Sequence, residues 1–151
     1  MKEQHDMSTL FKPIDELLIH RFPFLYVDEL VEVSEDHTVG IRHFGPDEPF
    51  FQGHFPGYPV VPGVILIETM AQCGGAGLRQ LDILKKGVVF VLASVEKAKF
   101  RQQVRPGDMV RIEVENLKVS PRVLKQSGKI LVDDAVAAEA SWMCIMTDQS
   151  V

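Results

Sequence analysis

Pro62-Gly63-Val64-Ile65-Leu66-Ile67-Glu68-Thr69-Met70-Ala71-Gln72-Cys73-Gly74-Gly75-Ala76-Gly77 is the stretch that decides the fold. No proline follows Pro62 until Pro106, so the pattern predicts a helix from Val64 to about Leu84. Pro62 stands where its missing N–H costs nothing, at the helix start. The first half is apolar on nearly every face, and a helix of that kind is buried on all sides. Each of Gly74, Gly75 and Gly77 weakens a helix by about 1 kcal/mol relative to Ala. The expected reason for them is close approach of another backbone.

Outward from the helix the text is β in character. On the C-terminal side, Val88–Phe100 is the first long run, and Met109–Val119 alternates with a slip of register near Asn116. Val123–Val132 and Ala135–Met146 follow, joined at Asp133-Asp134. On the N-terminal side, Phe24–Val33 and Thr38–Phe44 read as a hairpin, and Pro13–Ile19 as a short helix. Gly45–Gly63 holds five prolines and four glycines, which leaves no regular element and predicts a rigid, irregular loop. The order is hairpin, loop, one long helix, then an antiparallel meander. That is an α+β domain, with a curved antiparallel sheet around a central helix. One sheet cannot cover every side of the helix, so a second subunit is expected to help. Residues 1–12 read as a disordered or loosely packed leader and 13–148 as a single domain.

The chain has 151 residues, one domain's length, and a formal net charge of −5. A mildly acidic chain is poorly suited to holding phosphates, so nucleic acid is not an expected partner. No apolar run reaches the roughly 18 residues of a membrane span. Met1–Ser8 is polar, without the apolar core of a secretory signal. Cys73 and Cys144 lie in apolar stretches and read as buried free thiols in a reducing cytoplasm.

Glu68 is the anomaly, a carboxyl on an apolar helix, in line with Val64, Ala71 and Gly75. Taken alone it reads more simply as a carboxylate satisfied by an Arg or by backbone N–H groups. The chemical alternative is an acid whose pKa burial raises, so that it holds a proton near neutral pH. His54 lies in Gly53-His54-Phe55-Pro56-Gly57, where flanking Gly and Pro fix the backbone and Phe51 and Phe55 exclude water. A lone loop His is more often plain polar surface, but rigid dry placement also suits a general base. His20 reads as a structural ring with no chemistry. The amides of Gly63 and Val64 open the helix and have no partner within it, so they can hold a carbonyl oxygen. An ordinary helix start is the simpler account of them. No His-x-x-x-His, Cys/His cluster, Gly-x-Ser-x-Gly turn or P-loop is present, so no metal, Ser nucleophile or nucleotide is expected.

Together these pieces form a known pattern. Asp47-Glu48-Pro49-Phe50-Phe51-Gln52-Gly53-His54-Phe55-Pro56-Gly57, then Pro62-Gly63-Val64 and Glu68-Thr69-Met70-Ala71-Gln72, closely resemble the bacterial 3-hydroxyacyl-acyl carrier protein dehydratases of type II fatty acid synthesis. His20-Arg21-Phe22-Pro23-Phe24-Leu25 and Lys99-Phe100-Arg101 with Pro106-Gly107-Asp108 extend the resemblance over about residues 14–146. It implies the hot-dog fold, a long helix wrapped in an antiparallel sheet. It also implies an active site shared across a homodimer, with His54 from one subunit and Glu68 from the other. The Gly63 amide would lie at the thioester carbonyl, with Val64 beside it.

The substrate implied is a 3-hydroxyacyl group on the phosphopantetheine of acyl carrier protein, with no further cofactor. A trimer of dimers is implied as well. A sister group that also isomerises the product carries Asp at position 68, so Glu68 points to dehydration only. Phe50, Phe51 and Met70 are candidates to line the acyl slot. Arg21, Lys97, Lys99, Arg101 and Arg105 are candidates to dock the acidic carrier. Thr69, where Ala is commoner, and Ser94 and Glu96, where Gly and Asp are commoner, depart from the family pattern. The rivals are a hot-dog acyl thioesterase and a non-catalytic acyl-thioester sensor. The Gly-His-Phe-Pro-Gly loop argues against the first, and the short leader leaves no room for the DNA-binding module of the second.

Overall fold

The apolar segment forms the expected helix, and the β segments form one sheet around it. The computed structural model describes residues 10–150. In chain order the elements are α1 (Ile14–Leu17), β1 (Glu29–Val33), β2 (His37–His43), a 3-10 turn (Pro49–Gln52), α2 (Gly63–Gln80), β3 (Val88–Phe100), β4 (Met109–Val119), β5 (Val123–Val132) and β6 (Ala135–Ser150). Residues 1–9, most of the expected leader, lie outside the described residues. Within its last part, Phe11 packs against the core, and the Lys12 N–H donates to Gln80 Oε1 at 2.8 Å.

All pairings in the sheet are antiparallel, in the order β1-β2-β4-β5-β6-β3. The meander expectation therefore holds for β4-β5-β6 only. β3 crosses to the far edge and pairs with β6, while β2 pairs with β4. Alternation along a strand fixes its two faces but not its neighbour, so the sequence could not supply that order. The slip near Asn116 is present, as a register shift between Asn116 and Lys118. Asp133 and Asp134 have φ of 49° and 67°, and Val132 pairs with Ala135, so a two-residue turn with both φ positive closes the last hairpin.

The inner face of the sheet presents Val110, Ile112, Val114, Leu124, Ile130, Ala138, Ala140 and Cys144, all buried. Against it lie Leu66, Met70, Cys73, Ala76 and Leu78 of α2. The α2 glycines are explained by side chains rather than by a second backbone. Gly74 lies under the Gln126 amide, Gly75 under the Phe90 ring and Gly77 against Thr38. The Gln126 amide is itself committed: it donates to Asn116 Oδ1 and accepts from Trp142 Nε1. α2 stops at Gln80, short of Leu84. Leu81 donates to Gly77, Ile83 and Leu84 to Leu78, and Asp82 turns with φ 59°.

The loop is held at its start by Arg42, which pairs with Asp28 and Glu48 and stacks over the Tyr26 and Phe44 rings. It contains one regular turn that the proline count concealed, the 3-10 segment with Pro49 at its start. α2 is not buried all round. Val64, in its first turn, is 72% exposed. Every residue of β3 from Val91 to Phe100 is exposed as well, on both faces of an edge strand. Val91, Leu92 and Phe100 of this edge and Val64 of the helix start are exposed apolar side chains, and Phe22 and Phe24 are exposed in the segment before β1.

Gly77→Ala tests the packing. A Cβ there would run into Thr38 Oγ1, and Thr38 is fully buried and cannot yield. The variant should lose about 1–3 kcal/mol by urea unfolding at fixed protein concentration.

Candidate active site

Glu68 projects from the second turn of α2, with 22% of its side chain exposed. Its Oε1 accepts from Gln72 Nε2 at 3.0 Å, and His20 Nε2 lies 3.6 Å from the same oxygen. Burial pushes the Glu68 carboxyl above the ordinary carboxylate pKa, and the Gln72 hydrogen bond offsets part of that rise. The same desolvation, aided by Arg79 and Arg21, pushes His20 below its ordinary value. The environment therefore favours a neutral carboxyl beside a neutral imidazole.

His54 is fixed by its own loop. Phe55 and Tyr58 exchange backbone hydrogen bonds around Gly57, whose φ is +80°. The Val60 N–H donates to the His54 carbonyl at 3.0 Å, and His54 Nδ1 lies 3.0 Å from the Val60 carbonyl. A carbonyl only accepts, so Nδ1 carries a hydrogen, and in the neutral ring Nε2 is the nitrogen with the lone pair. The Phe55 ring stacks on the imidazole at 4.1 Å. Within one chain, His54 and Glu68 share no hydrogen bond or ion pair.

The third piece is the start of α2. Pro62 is its N-cap and supplies no side-chain cap, so the Gly63 and Val64 amides are not satisfied by the helix. A Cβ on Gly63 would lie 2.9 Å from the Phe100 ring, so only glycine lets that ring close over the helix start. The Val61 N–H donates to the Val104 carbonyl, tying this end of the loop to the segment after β3.

The other candidates fall elsewhere. Met70 and Phe51 are buried in the core, and Phe50 packs its ring against Tyr26, Phe44 and Phe51. Arg21 spends its donors on the carbonyls of Asp15, Leu18 and His20. Lys97 and Lys99 lie along exposed β3, and Arg101, just after it, pairs with Glu139. Arg105 stacks over Tyr58 at 4.6 Å, and the Tyr58 hydroxyl donates to Gln103. Thr69, unexpected inside the helix, returns its hydroxyl proton to the Ile65 carbonyl at 2.7 Å. Cys73 and Cys144 are buried free thiols, with Cys144 pushed up to about 12. Gln72 and His20 are neighbours of Glu68 that its sequence context does not single out as such. A signal for Gln72 is nonetheless present: it stands one turn after Glu68, at i+4.

The FabA-like domain family matches residues 18–141. The chain belongs to that family. A 3-hydroxyacyl-[acyl-carrier-protein] dehydratase FabZ of Desulforamulus reducens is 46% identical over 131 residues, covering 86% of this chain and 92% of the relative. The FabZ dehydratase of Lawsonia intracellularis is 39% identical over 148 residues, covering 96% and 97%. Among solved structures, the dehydratase heterocomplex ApeI:P of Xenorhabdus doucetiae superposes with a TM-score of 0.82 at 18% identity, covering 92% of this chain and 93% of that one. A hypothetical thioesterase with coenzyme A from Streptococcus pneumoniae reaches 0.60 at 14% identity, over 82% and 88%. At those identities the likeness establishes the hot-dog fold and nothing finer.

The raised Glu68 carboxyl links stability to pH in this FabA-like chain. A raised carboxyl contributes fully below its unfolded pKa, and the contribution is lost as pH rises through the higher folded value. Glu68→Gln cannot ionise. Its Tm relative to the parent should therefore climb by roughly a few degrees between about pH 4 and about pH 8. A Tm difference that is flat with pH would mean the fold does not favour the protonated acid.

Proposed function

We propose that this chain dehydrates 3-hydroxyacyl groups on acyl carrier protein to trans-2-enoyl groups, in type II fatty acid synthesis. The observation that carries the reading is a matched pair of groups. Glu68 is a half-buried carboxyl whose charged form is disfavoured, and His54 is an imidazole whose Nδ1 is tied to the Val60 carbonyl. An acid and a base held in those states are what an elimination of water requires.

His54 Nε2 takes the C2 proton. The electron pair moves toward the thioester oxygen, where the Gly63 and Val64 amides stabilise the developing enolate. The pair then returns to form the C2–C3 double bond. The C3–O bond breaks, and Glu68 protonates the departing hydroxyl, which leaves as water. One proton has moved onto His54 and one has left Glu68, so transfer back through the product water or solvent resets the site. The chemistry as written needs no metal and no redox cofactor.

The two groups come together in this reading across a homodimer. A ten-residue exposed run on edge strand β3, apolar in part and ending at Phe100 over the helix start that carries exposed Val64, is a surface that a second copy would cover. A trimer of dimers is the larger assembly proposed. Arg101 and Arg105, past the end of the run that a second copy would cover, offer the acidic carrier a local positive surface despite the net negative charge. The cytoplasm, where acyl carrier protein substrates of this kind are handled, is the proposed location.

Enoyl absorbance with a 3-hydroxyacyl thioester should rise with the parent protein. Turnover should fall by roughly 100-fold or more in both His54→Ala and Glu68→Gln. Unchanged turnover in either variant would remove that residue from its role. Thiol release from an acyl-CoA, without enoyl formation, would favour the thioesterase reading instead.

A further inference from the structure

The loop that carries His54 is tied to the body of the chain at few points. From Gly45 to Val60, every backbone hydrogen bond among the described residues stays inside the loop. Two side-chain hydrogen bonds leave it. The Tyr58 hydroxyl donates to Gln103 at the exposed tip, and Arg42 Nη2 donates to Glu48 Oε1 at the start. The second of these is withdrawn from water, with 9% of the Glu48 side chain and 16% of the Arg42 side chain exposed.

Arg42 is itself held by several groups. Its Nη1 donates to Asp28 Oδ1 at 2.9 Å, and the other Asp28 oxygen accepts the His43 N–H at 2.7 Å. The guanidinium lies over the Tyr26 and Phe44 rings, and Phe50 of the loop packs against the same two rings. Arg42 Nε is buried without an acceptor. Burying an ion pair is a weak route to stability, since apolar side chains of similar volume often serve as well. What such a pair does specify is one arrangement of the two segments that carry it.

From Glu48 the path to the base is short. The Glu48 carbonyl accepts the Phe51 N–H at 3.1 Å, which opens the 3-10 turn Pro49–Gln52. The Phe50 carbonyl then accepts the N–H groups of Gly53 and His54, at 3.2 and 3.0 Å. The Glu48 carboxylate on Arg42 thus sets the turn, and the turn sets the His54 backbone.

We propose that Arg42 and Glu48 are positioning residues for His54, their ion pair holding the turn so that the imidazole meets the substrate in a reactive geometry. The inference rests on the dehydratase reading for its catalytic consequence, but not for the hold on the loop. A misplacement of about 1 Å costs a reaction roughly 100-fold. Loss of the pair should therefore slow catalysis and leave substrate binding nearly unchanged.

The experiment compares Arg42→Met, Glu48→Met and the double variant. Each single change strands one charge and should lower stability, whereas the double change removes both charges and keeps the volume. Asp28, 37% exposed, retains the His43 N–H and water. In the double variant Tm should stay within roughly a few degrees of the parent value, while kcat falls by roughly 10–100-fold and KM changes by less than about threefold. Arg42→Lys, which keeps a cation between the two carboxylates, should retain more of kcat than Arg42→Met. Independently of turnover, amide hydrogen exchange at Gly53 and His54 should quicken at least about tenfold in the double variant, with the amides of β4 and β5 unmoved. Glu48→Gln keeps the shape and an acceptor but not the charge. If the double variant does not fold, Glu48→Gln decides the matter by the same readings, with kcat expected to fall at least about threefold. A folded double variant with kcat within about twofold of the parent, or with exchange at Gly53 and His54 unchanged, overturns the proposal. Parent protein that forms no enoyl product, with exchange still quickened in the variant, upholds the hold on the loop and overturns the dehydratase reading alone.

Discussion

Burial of α2 is the constraint on which the rest depends. Leu66, Met70, Cys73, Ala76 and Leu78 leave water only because the inner face of β2, β4, β5 and β6 curves over them. Each large apolar side chain among them contributes about 1.5–3 kcal/mol on full burial. The sheet can approach so closely because Gly74, Gly75 and Gly77 leave room for Gln126, Phe90 and Thr38. The glycines, unfavourable for a helix in isolation, are the condition for the packing that makes this helix stable.

The same burial creates the chemistry. A glutamate on a surface helix would be an ordinary carboxylate. Glu68 is partly withdrawn from water on a helix covered by the sheet, so its charged form is disfavoured. The groups around it belong to the fold as much as to the site. Gln72 holds the acid with one N–H and the segment before β1 with its other two hydrogen bonds. His20 borders both Glu68 and the Phe90 ring that covers Gly75. A change in the packing of that first segment is thus felt at the carboxyl.

Much of this is legible in the sequence, for identifiable reasons. The helix can be read because a proline-free apolar run has few alternatives, and the strands from Val88 onward because alternation and the Asp133-Asp134 turn punctuate them. The first strand is shorter than its composition suggests. Phe24–Asp28 has the residues of a strand, but Phe24 and Tyr26 place backbone groups on the Gln72 side chain instead of on a neighbouring strand, and β1 begins only at Glu29. Side-chain satisfaction of a backbone from 46 residues away leaves no local signature. The edge position of β3 is hidden for a similar reason, since strand order depends on how the whole sheet closes on α2. Residue identity picks out Glu68 and His54 as odd, but the resemblance makes them a pair. The structure adds the Nδ1–Val60 bond and the Gln72 amide that hold the two side chains.

In the proposed homodimer a working site joins His54 of one subunit to Glu68 of its partner. Mixing subunits tests it most directly. His54→Ala and Glu68→Gln proteins, each nearly inactive alone, are unfolded, combined in equal amounts, refolded and assayed for enoyl formation. Random pairing makes half of the dimers mixed, and each mixed dimer regains one intact site of two, so activity should return to roughly a quarter of the parent value. Mixed dimers demonstrated by mass, with activity no higher than the two variants separately, would contradict a site built across the subunit boundary.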